Sequence, residues 1–430
     1  MSEFIEIEPT GPLRATIRPP GSKSITNRAL ICAALAEGTS TLAGVLDSED
    51  TQVMVESLGR LGIHVDVDTA AQQMVVQGAA GNIPARSADL FIGNSGTSVR
   101  FLTAMAALGR GEYRLDGVPR MRQRPIAPLT EALNQWGANV QCAAGGCPPV
   151  VVRGAGLAGG KASIRGDLSS QFLSALLMVA PYAAHAAGLE IDGPLVSKPY
   201  VTMTLGVMRA FGVDVPQGDL ERFEIPPQQC YRATHYAIEP DASAASYFLA
   251  AAAIAGGEVT VEGLRRDSLQ GDVAFCDCLE RMGCELRYSD EHGGGRITVI
   301  GRPLVGIEVD MNAISDTVQT LSAVALFANG PTRITGVEHI RHKETDRIAA
   351  LAIELRKFGA LVDERPDGLT ITPGVLRGAT IDTYDDHRMA MSMALVGLRT
   401  TGVVINDPRC VDKTYPAFFK DLAAVCHAVR

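Results

Sequence analysis

The stretch GSKSITNRALICAALAEGTSTLAGV, residues 21–45, sets the pattern from which the fold can be worked out. It opens on a small polar turn and continues as an Ala-rich helical stretch. A glycine then precedes a short segment that is rich in β-branched residues. This order predicts a helix that leads directly into a strand.

The same pattern recurs along the chain at intervals of about 70 residues, as in repeat proteins. The five further copies are GNSGTSVRFLTAMAALGRGEYRLDGV (93–118), GDLSSQFLSALLMVAPYAAHAAGLEIDG (166–193), EPDASAASYFLAAAAIAGGEVTVEGL (239–264), MNAISDTVQTLSAVALFANGPTRITGV (311–337) and YDDHRMAMSMALVGLRTTGVVINDP (384–408). Most copies carry a second helix-period stretch that ends at a glycine before an alternating strand. The repeat is therefore predicted to be a β-α-β-α-β-β unit, and three copies each would form two similar α/β domains.

Length and composition limit the class of protein. A chain of 430 residues with 46% hydrophobic and 20% charged residues predicts a soluble two-domain protein with a large core. The formal net charge of −9 disfavours nucleic acid as a partner. The apolar runs are too short to span a membrane, the first residues read as a strand and not as a signal peptide, and the nine scattered cysteines suit reduced thiols. We therefore expect a cytoplasmic protein that binds neither membranes nor nucleic acid.

Each copy opens on a polar turn just before its helix, where free N–H groups and the helix dipole suit anions. The first turn carries Lys23, Ser24 and Arg28, although a capped amphipathic helix would explain them equally well. Gly96 lies in a turn that allows a close approach of the backbone to a ligand. Ser169, Ser170 and Gln171 begin another helix, and capping explains only one of them.

Cationic groups recur in further turns. Arg120, Arg122 and Arg124 form either an anion clamp or a solvated basic face. Lys343 and Arg347 are four residues apart and would share one helix face beside Glu344, unless they belong to a surface ion-pair ladder. Asp386, His387 and Arg388 precede an apolar helix, and Lys413 lies near the end of the chain.

Asp316 stands at a helix start, where an acid most often serves as the N-cap. Across all of these turns the cationic residues outnumber the acidic ones.

Metal and nucleotide sites are not supported by the sequence. Neither the Cys276–Cys278 pair nor His339 with His342 has the partners that a metal site needs. No Walker A loop, G-x-G-x-x-G or nucleophile elbow is present. The cations of the turns thus favour small substrates with more than one phosphate or carboxylate. The few acids of the turns could transfer protons.

Over almost its whole length, the chain resembles the 5-enolpyruvylshikimate-3-phosphate synthase family. The resemblance rests on motifs in the family's order, namely PGSKSITNRAL, GNSGTSVRFL, RMRQRPIAPL, GDLSSQFLSALLM, LVSKPY, EPDASAASYFLAAAAI, DMNAISDTVQTLSAVA, RHKETDRI, DDHRMAM and DKTYPAFF. It implies an inside-out α/β barrel in each of two domains with a cleft between them. The first domain would comprise 1–20 plus 240–430 and the second 21–239, with the first strand in the former.

The resemblance implies transfer of the enolpyruvyl group of phosphoenolpyruvate to the 5-hydroxyl of shikimate 3-phosphate, with release of phosphate, through a tetrahedral intermediate. It implies a monomer that uses no metal or organic cofactor. The residues that it assigns to shikimate 3-phosphate are Lys23, Ser24, Arg28, Ser169, Ser170, Gln171, Ser197, Asp316 and Lys343. Those that it assigns to phosphoenolpyruvate are Lys23, Gly96, Arg124, Gln171, Arg347, Arg388 and Lys413. Asp316 would act as the base for the 5-hydroxyl, and Glu344 and Lys23 would handle the proton at the enol carbon.

Two positions depart from the family pattern. His339 stands where many relatives have Asn, and Phe101 stands where many have Pro in the segment behind Gly96. The resemblance implies that glyphosate competes with phosphoenolpyruvate, since Gly96 is retained. Three other functions stay open at this stage. They are an enolpyruvyl transferase for UDP-N-acetylglucosamine, a non-catalytic phosphometabolite-binding relative and an RNA-end-processing enzyme.

Overall fold

The computed structural model describes residues 3–290 and 294–427. The strands of this part of the chain are β1 (Phe4–Ile7), β2 (Leu13–Ile17), β3 (Glu37–Ala43), β4 (Val65–Asp68), β5 (Gln73–Ala79), β6 (Ser87–Phe91), β7 (Arg110–Asp116), β8 (Asn139–Cys142), β9 (Val150–Ala155), β10 (Gly160–Arg165), β11 (Ala187–Asp192), β12 (Arg222–Ile225), β13 (His235–Ala237), β14 (Gly257–Glu262), β15 (Glu285–Ser289), β16 (Arg296–Gly301), β17 (Glu308–Asp310), β18 (Thr332–Thr335), β19 (Leu361–Arg365), β20 (Gly368–Thr372), β21 (Thr380–Ile381) and β22 (Val403–Asn406). The α-helices are α1 (Lys23–Leu35), α2 (Glu49–Arg60), α3 (Gly96–Ala106), α4 (Ala127–Gln135), α5 (Ser170–Val179), α6 (Lys198–Ala210), α7 (Ala242–Ala255), α8 (Phe275–Arg281), α9 (Val318–Ala325), α10 (Arg347–Lys357), α11 (His387–Gly397) and α12 (Phe418–His427).

The sheets share one arrangement. In each of them a parallel pair of strands is followed by antiparallel neighbours, as in β6-β7-β9-β8, where β6 and β7 are parallel and β9 is antiparallel to both β7 and β8. The remaining orders are β13-β3-β5-β4, β10-β11-β12, β2-β14-β16-β15, β17-β18-β20-β19 and β1-β22-β21. A parallel pair needs a crossover, and between β6 and β7 the helix α3 supplies it. The predicted α/β class is confirmed.

The chain divides into two compact units. Unit 2 is the continuous stretch Gly21–Ile238, and unit 1 combines the residues before it with those from Glu239 onward. β1 pairs antiparallel with β22, and β2 pairs parallel with β14, so both N-terminal strands complete sheets of unit 1.

The centre of each unit is formed by the Ala-rich helices of the repeats. In unit 2 these are α1, α3 and α5, and in unit 1 they are α7, α9 and α11, nearly all of whose residues are buried. A helix that is apolar on all sides has no face for solvent and belongs in a core. In unit 1 the hydroxyls of Ser246, Thr320 and Ser392 join the three helices through contacts of 3.1 and 3.5 Å.

Where the sequence predicts a glycine after the second helix of a repeat, the structure places one there. After α2 and α10, Gly62 and Gly359 take the left-handed φ values of +86° and +99° that favour glycine beyond a helix end. The start of α10 differs from the prediction. Asp346 caps this helix, and Arg347 is its first residue. The prediction that Lys343 and Arg347 share a helix face was therefore wrong, because Lys343 lies in the turn before the cap.

Candidate active site

In unit 2 the start of α1 holds an ion pair with a buried carboxylate. Ser22 caps the helix by accepting the N–H of Ile25, and Lys23 is its first residue. The Lys23 ammonium lies 3.2 Å from the carboxylate of Asp50, which stands in the first turn of α2 and is 3% exposed. The sequence analysis missed Asp50, because an acid in the first turn of a helix is expected for the helix dipole alone.

Arg28 lies one and a half turns into α1 and is held on several sides. Its guanidinium donates to the hydroxyl of Thr204 at 2.7 Å and to the carbonyl oxygens of Ser24 and Tyr200 at 2.9 and 3.2 Å. It also lies 5.2 Å from the ring centroid of Phe101, a cation–π distance. Burial lowers the pKa of Arg28 to about 10, which leaves it charged at neutral pH. This residue is therefore a fixed positive group beside the start of α6.

The start of α3 brings a glycine against two guanidinium groups. Gly96 is the first residue of α3, and a Cβ built on it would clash with Arg124 and Arg100. Arg124 is 3% exposed and donates to the carbonyl of Asn94 at 2.9 Å. The absence of a side chain at Gly96 is therefore what lets Arg124 lie over the helix N-terminus.

Gln171 links the starts of α3 and α5. Its amide oxygen accepts from Arg100 at 2.8 Å, and its amide nitrogen donates to the hydroxyl of Thr97 at 3.3 Å. Ser169 caps α5 and Ser170 is its first residue, while Ser197, with a left-handed φ of 53°, stands just before α6. Unit 2 thus brings the predicted residues of α3 and α5 into one hydrogen-bonded group.

The three arginines predicted as a clamp differ in their surroundings. Arg122 is about half exposed and pairs with Asp116 at 2.9 Å, and Arg120 donates to Gln123 at 3.3 Å. Arg124 is buried, and Asn94 offers it both a carbonyl and an amide oxygen. The alternation of arginines along the sequence could not reveal which of them has a buried acceptor.

In unit 1 the carboxylate of Asp316 is surrounded by cations. It lies 2.8 Å from Arg388, 3.3 Å from Arg347 and 3.7 Å from Lys343. Asp316 belongs to a 3₁₀ turn that precedes α9, and the residue in the cap position is Thr317. The interpretation of Asp316 as an N-cap was therefore wrong, and its side chain binds positive charge instead.

Arg347 lies at the centre of this network. It is 1% exposed and contacts Glu344 at 2.8 Å and Asp386 at 2.7 Å, in addition to Asp316. Burial lowers its pKa, but the carboxylates of Asp386, Glu344 and Asp316 raise the pKa by more, so the net shift is upward. The alternative of a solvated ladder on a helix surface is excluded for this residue.

Asp386 is a residue that the sequence analysis did not assign. It is fully buried, binds Arg347 through both oxygens and caps α11 by accepting the N–H of Arg388. Arg388 also approaches the hydroxyl of Tyr247 at 3.4 Å, and Lys413 is buried at the end of a 3₁₀ turn. Burial raises the pKa of the neighbouring Asp385, and the charge of Lys413 opposes that shift.

His339 is buried beside the same network. Burial lowers its pKa to about 3, and the charge of Lys343 acts in the same direction. His339 is therefore neutral at physiological pH. It adds a neutral ring to the network, and no further positive charge beside Lys343, Arg347 and Arg388.

Within residues 3–290 and 294–427, no group of three or more His, Cys, Asp or Glu side chains is arranged to hold a metal ion. In the same part of the chain no helix combines the length and the apolar character needed to cross a membrane.

Comparison with known proteins identifies the family. Residues 7–422 match the family model described as EPSP synthase, 3-phosphoshikimate 1-carboxyvinyltransferase. The chain belongs to the EPSP synthase family. The predicted family and enzyme class are thus confirmed, and the UDP-N-acetylglucosamine alternative is not favoured.

Individual relatives agree with this assignment. The chain is 50% identical over 410 residues to a 3-phosphoshikimate 1-carboxyvinyltransferase of Trichormus variabilis, covering 95% of each chain. It is 48% identical over 425 residues to the enzyme of the same name from Shewanella sp. strain ANA-3, covering 98% of this chain and 99% of the other. Its fold matches that of an EPSP synthase structure from Acinetobacter baumannii with a TM-score of 0.80 at 26% identity, over 98% of this chain and 97% of the other.

Proposed function

We propose that the chain transfers the enolpyruvyl group of phosphoenolpyruvate to the 5-hydroxyl of shikimate 3-phosphate and releases phosphate, in the shikimate pathway to aromatic amino acids. Family membership supports the reaction. The observation that carries the chemistry is the carboxylate of Asp316, which has cations at 2.8, 3.3 and 3.7 Å and Glu344 bound to one of the same arginines.

The network around Asp316 supports an exchange of partners. A phosphate or carboxylate of phosphoenolpyruvate would compete with Asp316 for the N–H groups of Arg388 and Arg347, because guanidinium groups bind either anion bidentately. Release from these arginines would turn Asp316 toward the hydroxyl of the second substrate, where it would accept the proton. Glu344 and Lys23 would handle the proton that the methylene carbon gains.

The remaining residues would fix the two substrates. For shikimate 3-phosphate we propose Lys23, Ser24, Arg28, Ser169, Ser170, Gln171, Ser197, Asp316 and Lys343. For phosphoenolpyruvate we propose Lys23, Gly96, Arg124, Gln171, Arg347, Arg388 and Lys413. Fixed cations and N–H groups stabilise the charge of a tetrahedral intermediate without reorganising during the reaction, which is the largest contribution in many enzymes.

The experiment is phosphate release from purified protein with both substrates, followed by mass spectrometry of the product. Release that requires both substrates and yields the enolpyruvyl ether supports the proposal. Release with UDP-N-acetylglucosamine as acceptor, and none with shikimate 3-phosphate, would overturn it. Asp316→Ala separates binding from chemistry, because it should still bind both ligands in calorimetry while turnover falls about 100-fold or more.

We propose further that the enzyme is a cytoplasmic monomer that uses no cofactor and that glyphosate competes with phosphoenolpyruvate. Unit 1 would carry Asp316, Glu344 and three of the seven phosphoenolpyruvate ligands, namely Arg347, Arg388 and Lys413, while unit 2 would carry most of the shikimate 3-phosphate ligands. The buried position of Arg124 over Gly96 supports the assignment of this pair to a small anion.

A further inference from the structure

The turn that leads into α11 has an unusual backbone. Tyr384 and Asp385 are consecutive non-glycine residues with left-handed φ values of 56° and 54°. L-residues with side chains rarely adopt this conformation, and it persists only where the surrounding contacts hold it in place. The turn is followed at once by Asp386 and Arg388, both of which belong to the charged network of unit 1.

Glu354 of α10 supplies contacts that hold the turn. Its carboxylate is fully buried and accepts the hydroxyl of Tyr384 at 2.6 Å and the backbone N–H of Asp382 at 3.1 Å. The two contacts lie on either side of Thr383. Lys357 is 2.8 Å from the same carboxylate and so supplies the positive charge that a buried anion requires.

α10 therefore binds the segment before α11 at two points. Arg347 and Glu354 are seven residues apart, which places them two turns apart on one helix face. Arg347 binds Asp386 at 2.7 Å, and Glu354 binds Tyr384, two residues earlier in the chain. The helix α10 therefore contacts Asp386 directly through Arg347 and holds the preceding turn through Glu354.

We infer that Glu354 and Tyr384 are positioning residues for the arginines of the phosphoenolpyruvate site. They act through Asp386, whose carboxylate orients Arg347 and caps the helix on which Arg388 stands. Loss of the Tyr384 contact would let the left-handed turn relax and move Asp386 away from Arg347. This inference rests on the proposed function, since it takes Arg347 and Arg388 to be ligands of phosphoenolpyruvate.

The test is Tyr384→Phe, which deletes one hydroxyl and keeps the ring. We expect the KM for phosphoenolpyruvate to rise about threefold to tenfold, the effect of losing one hydrogen bond, while the KM for shikimate 3-phosphate changes less than about twofold. The matched control is Tyr415→Phe, which removes a hydroxyl bound to the carboxylate of Asp421 at 2.8 Å elsewhere in unit 1. This control should leave both KM values unchanged.

A second variant is Glu354→Gln. The two carboxylate oxygens of Glu354 accept the Tyr384 hydroxyl and the Asp382 N–H separately, whereas the amide of glutamine has only one oxygen. This variant should raise the same KM, by more than Tyr384→Phe does. Equal changes in both KM values, no change in Tyr384→Phe, or the same selective change in Tyr415→Phe would each overturn the inference. Failure of the unaltered protein to react with the two substrates would instead overturn the proposed function.

Discussion

In the charged network of unit 1, the arrangement of several carboxylates depends on one arginine side chain. The single side chain of Arg347 contacts three carboxylates, those of Asp316, Glu344 and Asp386. A guanidinium has five N–H donors in a planar fork, so it can orient several carboxylates at once, as a lysine cannot. The acids predicted to move protons therefore share the cation predicted to bind the substrate.

Gly96→Ala tests the close approach at α3. The added methyl group would clash with the guanidinium of Arg124, so we expect the KM for phosphoenolpyruvate to rise about tenfold, with a smaller change for shikimate 3-phosphate. Steady-state kinetics measures both. The control is Gly59→Ala in α2, where nothing lies within 4 Å of the new Cβ. An unchanged KM in Gly96→Ala would contradict the prediction, because it would show that a methyl group at this position does not disturb the function of Arg124.

His339→Asn tests the titration of a buried ring. The pKa of His339 is about 3 in the folded protein, against an ordinary value of 6.5, so between these values the unfolded chain binds a proton that the folded one does not. This residue's contribution to stability is therefore present above pH 6.5 and is lost as the pH falls. From pH 7 to pH 5 the unaltered protein should lose about 2 kcal/mol of unfolding free energy more than His339→Asn does. Urea titrations at the two pH values measure this difference, and parallel losses would contradict it.

At the scale of elements, the polar turns combine helix capping with charge placement. Asp346 and Asp386 both cap helices of unit 1, α10 and α11, through their carboxylates. Asp346 is partly exposed and pairs with Arg341, whereas Asp386 is buried against Arg347. The same residue type in the same local position therefore has two different energetic roles.

Alanine substitution separates these two roles. Asp346→Ala should cost about 1 kcal/mol, the usual value of an N-cap. Asp386→Ala should cost about 3–5 kcal/mol, because it also leaves Arg347 buried without one of its carboxylates. Equilibrium unfolding in urea measures both, and Asp386→Asn, which keeps a capping oxygen, should lie between them. Equal losses for the two alanine variants would show that Arg347 does not depend on Asp386.

Local patterns in the sequence predict the elements well and their long-range partners poorly. The helix of residues 21–45 and the glycine after α2 follow from capping, periodicity and the special conformations of glycine. The contact of Arg347 with Asp386 spans 39 residues, and the one between Glu354 and Tyr384 spans 30. Such pairs depend on how helices pack, and no spacing rule describes them. The left-handed turn at Tyr384 was hidden for the same reason, because its conformation is imposed by contacts from another element.

At the scale of the whole molecule, the chain leaves unit 1 after β2 and returns before α7. The two crossing points lie side by side, since the N–H of Asp241 donates to the carbonyl of Pro20 at 2.8 Å. β1 and β2 then complete sheets whose other strands come from the C-terminal half. Strand pairing therefore makes the N-terminal segment an integral part of unit 1.

Excision of unit 2 tests this dependence. A chain that joins Pro20 to Glu239 through about two glycines should fold, because the linker has only a short distance to span. The control is the segment from Glu239 onward without residues 1–20. It leaves one edge of β22 and one edge of β14 unpaired and removes Ile7 and Leu13 from the core, so it should aggregate or unfold without cooperativity. Circular dichroism with urea unfolding measures both chains. Cooperative unfolding of the control at the same midpoint would show that the N-terminal strands contribute little, whereas failure of both chains would show that unit 1 requires unit 2 to fold.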